Sequence, residues 1–328
     1  MVAAPIAGRR RPAIRAGPAA VRGSAGTRDQ RTGTVILAVR VAVATLWTAP
    51  DRPRPIDAPA IAVPSDIRSW TAALDTEHRL DLHGRVETQL LLGETAVVRR
   101  TDGDWSLVLA RSQPSSKDAG GYPGWLPTSQ LAAVPPPGQR AVVSAASTDL
   151  RDRPGGPVCI ADVSMGTSLG LAGSDDHGYT PVRVPGRDEP AWIAGSDVCA
   201  VDSAHKATGQ QVVETASMFL GLQYLWGGMC SLALDCSGLV HLVYRRLGVD
   251  LPRDAHDQAT RGTEVPVDDA RPGDLYFFAE PGRAIHHVGI AAADGRMLHA
   301  PESGRGIELV PMPDPRRRTL VAARRYVG

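Results

Sequence analysis

The spacing of apolar residues changes twice along the chain. Up to about residue 200, short runs of alternating apolar residues are separated by Gly/Asp turns, a pattern typical of β-strands. Between residues 209 and 247 the apolar positions recur at helical spacing, and beyond residue 258 the strand pattern returns. Helices followed by an antiparallel sheet predict an α+β domain over residues 207–328.

Two strand-rich segments precede this domain. Strands are predicted at 34–46, 86–92, 96–100, 105–110 and 124–127, and then at 141–146, 150–151, 168–172, 179–184 and 191–193. Trp125 and Trp192 each open a late strand of their segment, which favours two diverged copies of one small barrel, at 33–134 and 139–203. Pro135-Pro136-Pro137-Gly138 is predicted to be a stiff linker between the copies.

The first segment also contains a long stretch without strand pattern. The proline-rich residues 49–64 are predicted to form a loop. Residues 64–74 are predicted to form a short helix that buries Trp70.

Composition is that of a soluble globular protein, with 43% hydrophobic and 22% charged residues in a chain of 328. The net charge of +1 gives no reason to expect a nucleic-acid partner. The first 32 residues carry seven arginines and one acidic residue, Asp29, so the rest of the chain is mildly acidic. These 32 residues show no period and are predicted to be disordered.

Val35–Leu46 is the only stretch that could serve as the apolar core of a secretory signal. Arg40 interrupts it, and it is too short to span a bilayer. We therefore expect a cytoplasmic protein without a membrane anchor, with secretion as the alternative.

Four cysteines in a chain of this length do not make a disulfide framework. Free buried thiols are favoured, and a Cys159–Cys199 bond is left open. Cys230, Cys236 and His256 are the nearest approach to a zinc set, but no second closely spaced pair completes four ligands. No metal or other cofactor is predicted.

Cys236 is the candidate nucleophile. It lies at the start of the predicted helix 237–247, behind Asp235 as the N-cap, and a helix N-terminus lowers the pKa of a thiol. A small buried cysteine at a helix start explains the position equally well. The backbone N–H of Cys236 and the hydroxyl of Tyr224 are candidate donors to an oxyanion.

A histidine base must come from another element. His286 and His287 point to opposite faces of one predicted strand, so only one of them can face Cys236. A hairpin at Asp294-Gly295 brings His299 alongside, where it can fix the tautomer of the base. Two further histidines, His241 and His256, are interpreted as packing or surface residues.

These residues and their flanking segments resemble the NlpC-type cysteine peptidases, papain-like bacterial enzymes that cut cell-wall peptides. The matching segments are Tyr-Leu-Trp-Gly-Gly (224–228), Asp-Cys-Ser-Gly-Leu-Val (235–240), Leu-Pro-Arg-Asp (251–254), Arg-Pro-Gly-Asp-Leu (271–275) and His-Val-Gly-Ile (287–290). The resemblance implies Cys236 as nucleophile, His287 as base, His299 as the orienting residue and Tyr224 as an oxyanion donor. It also implies substrate contacts, from Trp226, Ser237 and Asp254.

Residues 44–47, 86–94 and 121–125 are similar to the γ-D-glutamyl-L-diamino acid endopeptidases (dipeptidyl-peptidase VI), which carry two bacterial SH3-like barrels before the catalytic domain. In that subgroup the first barrel walls off the cleft. The resemblance implies that Glu87 and Tyr122 bind the free amino end of the substrate. On chemical grounds alone, a carboxylate and a phenol are suitable ligands for an ammonium group.

The resemblance implies hydrolysis of the γ-D-glutamyl bond to a diamino acid in murein peptides with a free N-terminal L-Ala, as in the recycling of wall peptides. Alternatives are a secreted hydrolase that acts on intact wall and a wall-binding protein without catalysis. An acyltransferase that uses the same Cys/His pair is a weaker option.

Overall fold

The computed structural model describes residues 27–28, 34–200 and 207–328. The predicted disordered extension lies outside the described residues except for Thr27–Arg28, which pair with the strand that follows. No helix in the described ranges is long and apolar enough to cross a bilayer.

The first part of the chain forms an eight-stranded antiparallel sheet with the order β1-β2-β5-β6-β7-β3-β4, in which β8 pairs with β2. Its strands are β1 (Thr27–Arg28), β2 (Val35–Val39), β3 (Val43–Trp47), β4 (Val86–Leu91), β5 (Thr95–Asp102), β6 (Trp105–Ala110), β7 (Tyr122–Pro127) and β8 (Leu131–Ala132). The single strand predicted at 34–46 is in fact β2 and β3, which meet at a corner. Except for Arg40, residues 37–47 are buried, so hydropathy does not reveal the bend.

Short helices fill the stretch between β3 and β4. They are a 3-10 turn (Pro55–Asp57), α1 (Ala58–Ile61), α2 (Ile67–Ala73) and α3 (Thr76–Leu80). The helix predicted at 64–74 is confirmed as α2, with Trp70 fully buried. The loop predicted at 49–64 is wrong in part, because proline is well tolerated in the first turn of a helix.

A buried carboxylate holds these helices together. Asp57 is fully buried and accepts hydrogen bonds from the Trp70 indole at 2.8 Å and from the backbone N–H of Arg54 at 2.8 Å. The Arg54 guanidinium adds a bidentate contact, at 2.9 and 3.0 Å. Burial opposes the charge of Asp57, but these donors outweigh it and lower the pKa of the carboxyl group.

The second sheet has seven antiparallel strands in the order β11-β10-β14-β13-β12-β9-β15. They are β9 (Arg140–Val143), β10 (Ser147–Arg151), β11 (Val158–Ser164), β12 (Ser168–Leu171), β13 (Tyr179–Arg183), β14 (Ala191–Ala194) and β15 (Val198–Ala200). The sequence analysis missed β11 and β15. Both are edge strands with half-exposed residues, so their apolar alternation is weak.

Two multi-stranded sheets thus stand where two barrels were expected. Within the described residues, the end strands of neither sheet pair with each other to close a barrel. The limits 33–134, 139–203 and 207–328 for the three parts of the chain stay predictions.

The last part is α+β, as predicted. It contains α4 (Gly209–Ser217), β16 (Met229–Cys230), β17 (Ala233–Leu234), α5 (Cys236–Arg246), α6 (Ala255–Gln258), β18 (Thr263–Val265), β19 (Leu275–Phe278), β20 (His287–Ala291), β21 (Arg296–His299), β22 (Glu308–Pro311), α7 (Asp314–Thr319) and β23 (Leu320–Arg325). The main sheet is antiparallel in the order β18-β23-β19-β20-β21-β22, and α5 packs on β20.

The predicted ends of the central elements are largely confirmed. The helix predicted at 237–247 is α5, and Gly248 follows it with a φ of +78°, which favours glycine. Asp294 and Gly295, at φ of +57° and +66°, join β20 to β21 as the predicted hairpin. The helical spacing of apolar residues that begins at Gly209 predicts a helix over 209–220, and the corresponding helix α4 ends three residues earlier, at Ser217.

One hydrophobic core joins the first sheet to the last part of the chain. Trp47, Trp70 and Val86 belong to the same buried cluster as Leu225 and Leu239. Hydrogen bonds cross the same boundary, from the Trp226 indole to the Val86 carbonyl (3.0 Å) and from the backbone N–H of Met229 to Gln89 (3.0 Å). The first sheet is therefore packed rigidly against the part that contains Cys236.

Replacing Trp70 by alanine should lower the free energy of unfolding by about 3–5 kcal/mol, because a fully buried indole leaves a large cavity. Trp70→Phe keeps most of the apolar volume and should cost less. Leu80, which is 60% exposed, provides the control variant Leu80→Ala, expected within about 0.5 kcal/mol of wild type. Urea denaturation followed by fluorescence measures all three, and equal losses for Trp70→Ala and Leu80→Ala would contradict the packing described.

Candidate active site

Cys236 is the first residue of α5, and the turn before it is built around Asp235. The Asp235 carboxylate accepts from the backbone N–H of Gly238 at 2.7 Å and from that of Gly227 at 2.9 Å. A side chain at residue 238 would place its Cβ 2.1 Å from the Gly228 carbonyl oxygen, so glycine is needed there. The Asp-Cys-Ser-Gly sequence therefore fixes the position of the thiol through a capped helix start.

A buried arginine completes this turn. Arg253 is 1% exposed, and its guanidinium contacts the Asp235 carboxylate at 2.7 and 3.1 Å. It also donates to the hydroxyl groups of Ser237 and Thr88, each at 2.8 Å. Burial works against its charge, but Asp235 outweighs burial and raises the pKa of Arg253. The sequence analysis quoted Arg253 in its segment without assigning it a role.

His287 and His299 form a hydrogen-bonded pair at the ends of neighbouring strands. Nε2 of His287 lies 2.8 Å from Nδ1 of His299, and both rings are buried. A Cβ at Gly289 would lie 2.4 Å from the Met297 sulfur and 3.4 Å from the Cβ of His299, so this glycine gives the neighbouring strand room. His286 is exposed, so His287 is the histidine of this strand that faces the interior.

Glu308 determines the tautomer of this pair. Its carboxylate lies 3.2 Å from Nε2 of His299 and accepts two hydrogen bonds from Arg305, at 2.8 and 2.7 Å. Because a carboxylate only accepts, Nε2 of His299 carries a proton and Nδ1 of His299 accepts from Nε2–H of His287. Nδ1 of a neutral His287 is then free to take a proton. Sequence reasoning missed Glu308.

Both catalytic candidates are buried, and both are neutral at neutral pH. Burial, followed by the charge of Asp235, raises the pKa of the Cys236 thiol to about 12, although the backbone N–H of Val288 acts in the opposite sense. Burial, then Arg316 and His299, lower the pKa of His287 well below its ordinary value. The helix N-terminus was predicted to lower the thiol pKa; the backbone N–H of Ser237 at the helix start does act in that direction, but desolvation outweighs it and the net shift is upward.

Tyr224 lies beside the thiol. It is 7% exposed, and burial, followed by the charges of Cys236 and Asp235, raises the pKa of its phenol. The hydroxyl therefore keeps its proton and can donate it in a hydrogen bond. Its carbonyl accepts from Arg79 at 2.9 Å, which ties this residue to α3.

Of the five residues predicted to bind substrate, Ser237 and Trp226 lie apart from the cluster that the other three form. Ser237 is 6% exposed and its hydroxyl is held by Arg253 and Asp235, inside the capping network. Trp226 is half-buried, and its ring lies 4.1 Å from that of His83.

Glu87, Tyr122 and Asp254 come together from the first sheet and from the turn before α6. The Tyr122 hydroxyl lies 3.0 Å from the nearer Asp254 oxygen and 3.4 Å from Glu87. Burial, the largest influence, raises the pKa of Asp254. The Lys117 ammonium group also reaches this cluster, 2.8 Å from the Tyr122 hydroxyl, and sequence reasoning missed it.

Among the described residues, one group of His, Cys, Asp and Glu side chains is close enough to share a metal ion. It consists of Asp254, His256 and Asp257, with ligand atoms within 4.8 Å of one another. Asp257 already accepts from the Ser116 backbone at 2.8 Å, and Asp254 from Tyr122. Cys230 and Cys236 are not part of this group, and all four cysteines are free thiols.

The other histidines behave as expected from the sequence. His241 is 2% exposed on α5, and burial lowers its pKa to about 3, so it packs as a neutral ring. His256 lies at the surface beside Ser116.

A cavity of about 780 Å³ lies between the two N-terminal sheets. It is lined among others by Val43, Ile67 and Asp149, and none of the predicted site residues lines it.

A thiol at a helix start, an imidazole on the adjoining strand and a third group on the far side of that imidazole are the arrangement of a papain-like cysteine peptidase. Comparison with known proteins agrees. The model of the NlpC/P60 family matches residues 221–324.

Two curated relatives match most of the chain. A γ-D-glutamyl-L-lysine dipeptidyl-peptidase from Bacillus subtilis (strain 168) is 39% identical over 274 residues, covering 82% of this chain and 91% of the relative. A protein of the same name from Bacillus cereus is 34% identical over 302 residues, covering 88% and 90%. The crystal structure of an NlpC/P60 family protein from Bacillus cereus superposes with a TM-score of 0.84 at 33% identity, covering 89% of this chain and 100% of that one.

The chain therefore belongs to the NlpC/P60 family. The predictions of an NlpC-type hydrolase and of a papain-like catalytic part are confirmed.

Replacing Arg253 by methionine should lower the free energy of unfolding by about 3–5 kcal/mol, because it leaves the Asp235 carboxylate buried and without its cation. Arg153→Met is the matched control, since the Arg153–Asp152 pair is exposed and should contribute at most about 1 kcal/mol. Denaturation curves compare the two variants. Similar small losses in both would show that Arg253 does not support the turn.

Removing the charge of Arg316 should change the pH dependence of catalysis. The Arg316 guanidinium lies 5.8 Å from the Phe278 ring centroid, and that ring lies 5.5 Å from the His287 ring. Within the described part of the chain Arg316 has no ion-pair partner. Burial is the largest cause of the lowered pKa of His287 and of His299, and the charge of Arg316 lowers both further.

In Arg316→Met the pKa of His287 should rise, so the acid limb of the kcat/KM profile should move to higher pH. Arg317→Met, at an exposed neighbouring position, controls for the change in net charge. An acid limb that stays in place, or moves equally in both variants, would contradict the role given to Arg316.

Proposed function

We propose that the protein hydrolyses the γ-D-glutamyl–L-diamino acid bond of murein peptides that carry a free N-terminal L-Ala. The observation that carries this proposal is the combination of the Cys236/His287/His299 arrangement with the Glu87–Tyr122–Asp254 cluster on the wall contributed by the first sheet. The names of the two Bacillus relatives support the choice of bond.

In the first half-reaction the Cys236 sulfur attacks the γ-carbonyl carbon of D-Glu, and Nδ1 of His287 takes the thiol proton as the S–C bond forms. Proton transfer at the same time as the attack of the sulfur is consistent with a site in which the Cys236 thiol and the His287 imidazole are both neutral before the reaction. The Tyr224 hydroxyl and the backbone N–H of Cys236 donate to the developing oxyanion. The C–N bond then breaks, and the His287 imidazolium gives its proton to the leaving amine of the diamino acid.

In the second half-reaction water attacks the thioester. His287 takes a proton from the water, the C–S bond breaks, and the sulfur recovers a proton from the imidazolium. The products are an L-Ala-D-Glu dipeptide and a peptide that begins with the diamino acid. His299 and Glu308 keep His287 in the tautomer that this sequence requires.

The ammonium of the N-terminal L-Ala is assigned to Glu87, Tyr122 and Asp254. Two carboxylates and a phenol offer charge-assisted hydrogen bonds to such a group. A wall at this position limits the acyl side of the substrate to two residues, which favours released peptides over intact, cross-linked wall. We further propose that the two N-terminal sheets are SH3-like modules and that the enzyme acts in recycling of wall peptides.

The test is cleavage of L-Ala-γ-D-Glu-L-Lys beside its N-acetylated form, followed by mass spectrometry with wild type and Cys236→Ala. The wild type should cleave the free peptide, and kcat/KM for the acetylated one should be lower by about a hundredfold, because its amide cannot replace a buried charged hydrogen bond. Cys236→Ala should cleave neither peptide.

Equal cleavage of both peptides by the wild type would keep the peptidase and discard the amino-end assignment. Release of fragments from intact sacculi, at rates above those for the free tripeptide, would support a hydrolase of the wall instead. Cleavage by Cys236→Ala would remove the nucleophile from the proposal.

A further inference from the structure

Lysine is rare in this chain. Of the 36 Lys and Arg residues, only Lys117 and Lys206 are lysines, and the remaining 34 are arginines. One of these two lysines lies in the cluster assigned to the substrate's amino end. A primary ammonium group at this position has the same charge and the same donor number as the N-terminus of a peptide at neutral pH.

The Lys117 ammonium makes the contacts that the substrate ammonium is expected to make. Its Nζ forms an ion pair with the Glu87 carboxylate and lies 2.8 Å from the Tyr122 hydroxyl. It also lies 4.5 Å from the centroid of the Tyr122 ring. Tyr122 in turn lies 3.0 Å from Asp254, so the cation contacts two of the three assigned residues directly and is linked to the third through Tyr122.

The segment that carries Lys117 is fixed on both sides. Residues 111–121 connect β6 to β7, and the Pro114 carbonyl accepts from the backbone N–H of Arg253 at 3.1 Å. The backbone N–H of Ser116 donates to Asp257 at 2.8 Å. The backbone is thus docked on the catalytic part, and the long lysine side chain is what can move.

The Lys117–Glu87 ion pair contributes little to the free energy of unfolding, because it is partly exposed. The lysine side chain is 37% exposed, and pairs of this exposure contribute at most about 1 kcal/mol. The pair is therefore weak enough to be exchanged for another ammonium. An arginine at position 117 would not be equivalent, because its guanidinium group is planar and larger than the ammonium group of a peptide. The use of lysine here, in a chain that has almost only arginine as its basic residue, is consistent with this difference.

We propose that the Lys117 ammonium is an internal occupant of the amino-end subsite, which the α-ammonium of a peptide must displace before it binds. This rests on the proposed function, since that function assigns the subsite. Exchange of one ammonium for another keeps the Glu87 carboxylate paired with a cation. An N-acylated peptide has no cation to exchange and meets an occupied subsite, so Lys117 adds a competitive element to the selection for free amino ends.

The test is isothermal titration of L-Ala-D-Glu, the proposed dipeptide product, into wild type and Lys117→Met. Methionine keeps the length and the apolar stem of lysine and removes the ammonium. The dipeptide should bind Lys117→Met about fivefold more tightly, the factor expected for releasing a partly exposed ion pair. Lys206→Met, which removes the other lysine, should bind like the wild type.

Unchanged or weaker binding to Lys117→Met would overturn the proposal, and weaker binding would instead make Lys117 a ligand for a carboxylate of the dipeptide. Failure of the dipeptide to bind either variant would overturn it as well. N-acetyl-L-Ala-D-Glu is the second ligand, and its affinity should stay at least tenfold below that of the free dipeptide in both proteins.

These outcomes are separable from those of the cleavage experiment. Tighter binding of the dipeptide to Lys117→Met, with no cleavage of the tripeptide by the wild type, would keep the internal occupant and discard the proposed reaction. Cleavage of the free tripeptide, with no gain in dipeptide affinity on loss of Lys117, would keep the reaction and discard the occupant.

Discussion

The ion pair between Arg253 and Asp235 is the contact on which the site depends. Asp235 has to be buried, because its carboxylate holds the backbone of Gly227 and Gly238 and so positions the start of α5. That same negative charge acts against a thiolate at Cys236. Arg253 offsets it from the other side, and through Thr88 it binds the first sheet. One guanidinium thus connects the turn that positions Cys236 to the first sheet.

Desolvation decides the resting protonation of the site. Burial disfavours both a thiolate and an imidazolium, so the proton remains on sulfur and His287 stays neutral. In the proposed reaction, the thiolate and the imidazolium exist only while the sulfur adds to the substrate carbonyl, when the proposed oxyanion donors, Tyr224 and the Cys236 N–H, can stabilise the negative charge. Burial also makes the thiol a poor target for oxidants and alkylating reagents in the absence of substrate.

The sequence allowed much of this to be predicted, and the failures share a physical cause. Helix α5 and the hairpin at Asp294-Gly295, which brings His299 alongside the preceding strand, follow from local period and turn residues, whereas the choice of His287 over His286 came from the resemblance. The corner between β2 and β3 was missed because both sides of it are buried. Glu308 and Lys117 were missed because long-range contacts, which no local pattern records, give them their roles. The predicted direction of the shift in the Cys236 thiol pKa was wrong, because a helix start can be recognised in a sequence whereas the depth of burial cannot.

The common hydrophobic core of the first sheet and the catalytic part has a consequence for how such chains diverge. Leu225 and Leu239 pack with Trp47, Trp70 and Val86, so the two parts share side chains and not merely a linker. A change of side-chain volume on one side of this core has to be matched on the other, so the two parts of this chain are constrained to change together. The second sheet has a core largely of its own, to which Leu92 of the first part contributes, but its Met165 also lies in the common core. Only the residues of the second sheet away from Met165 are expected to vary independently.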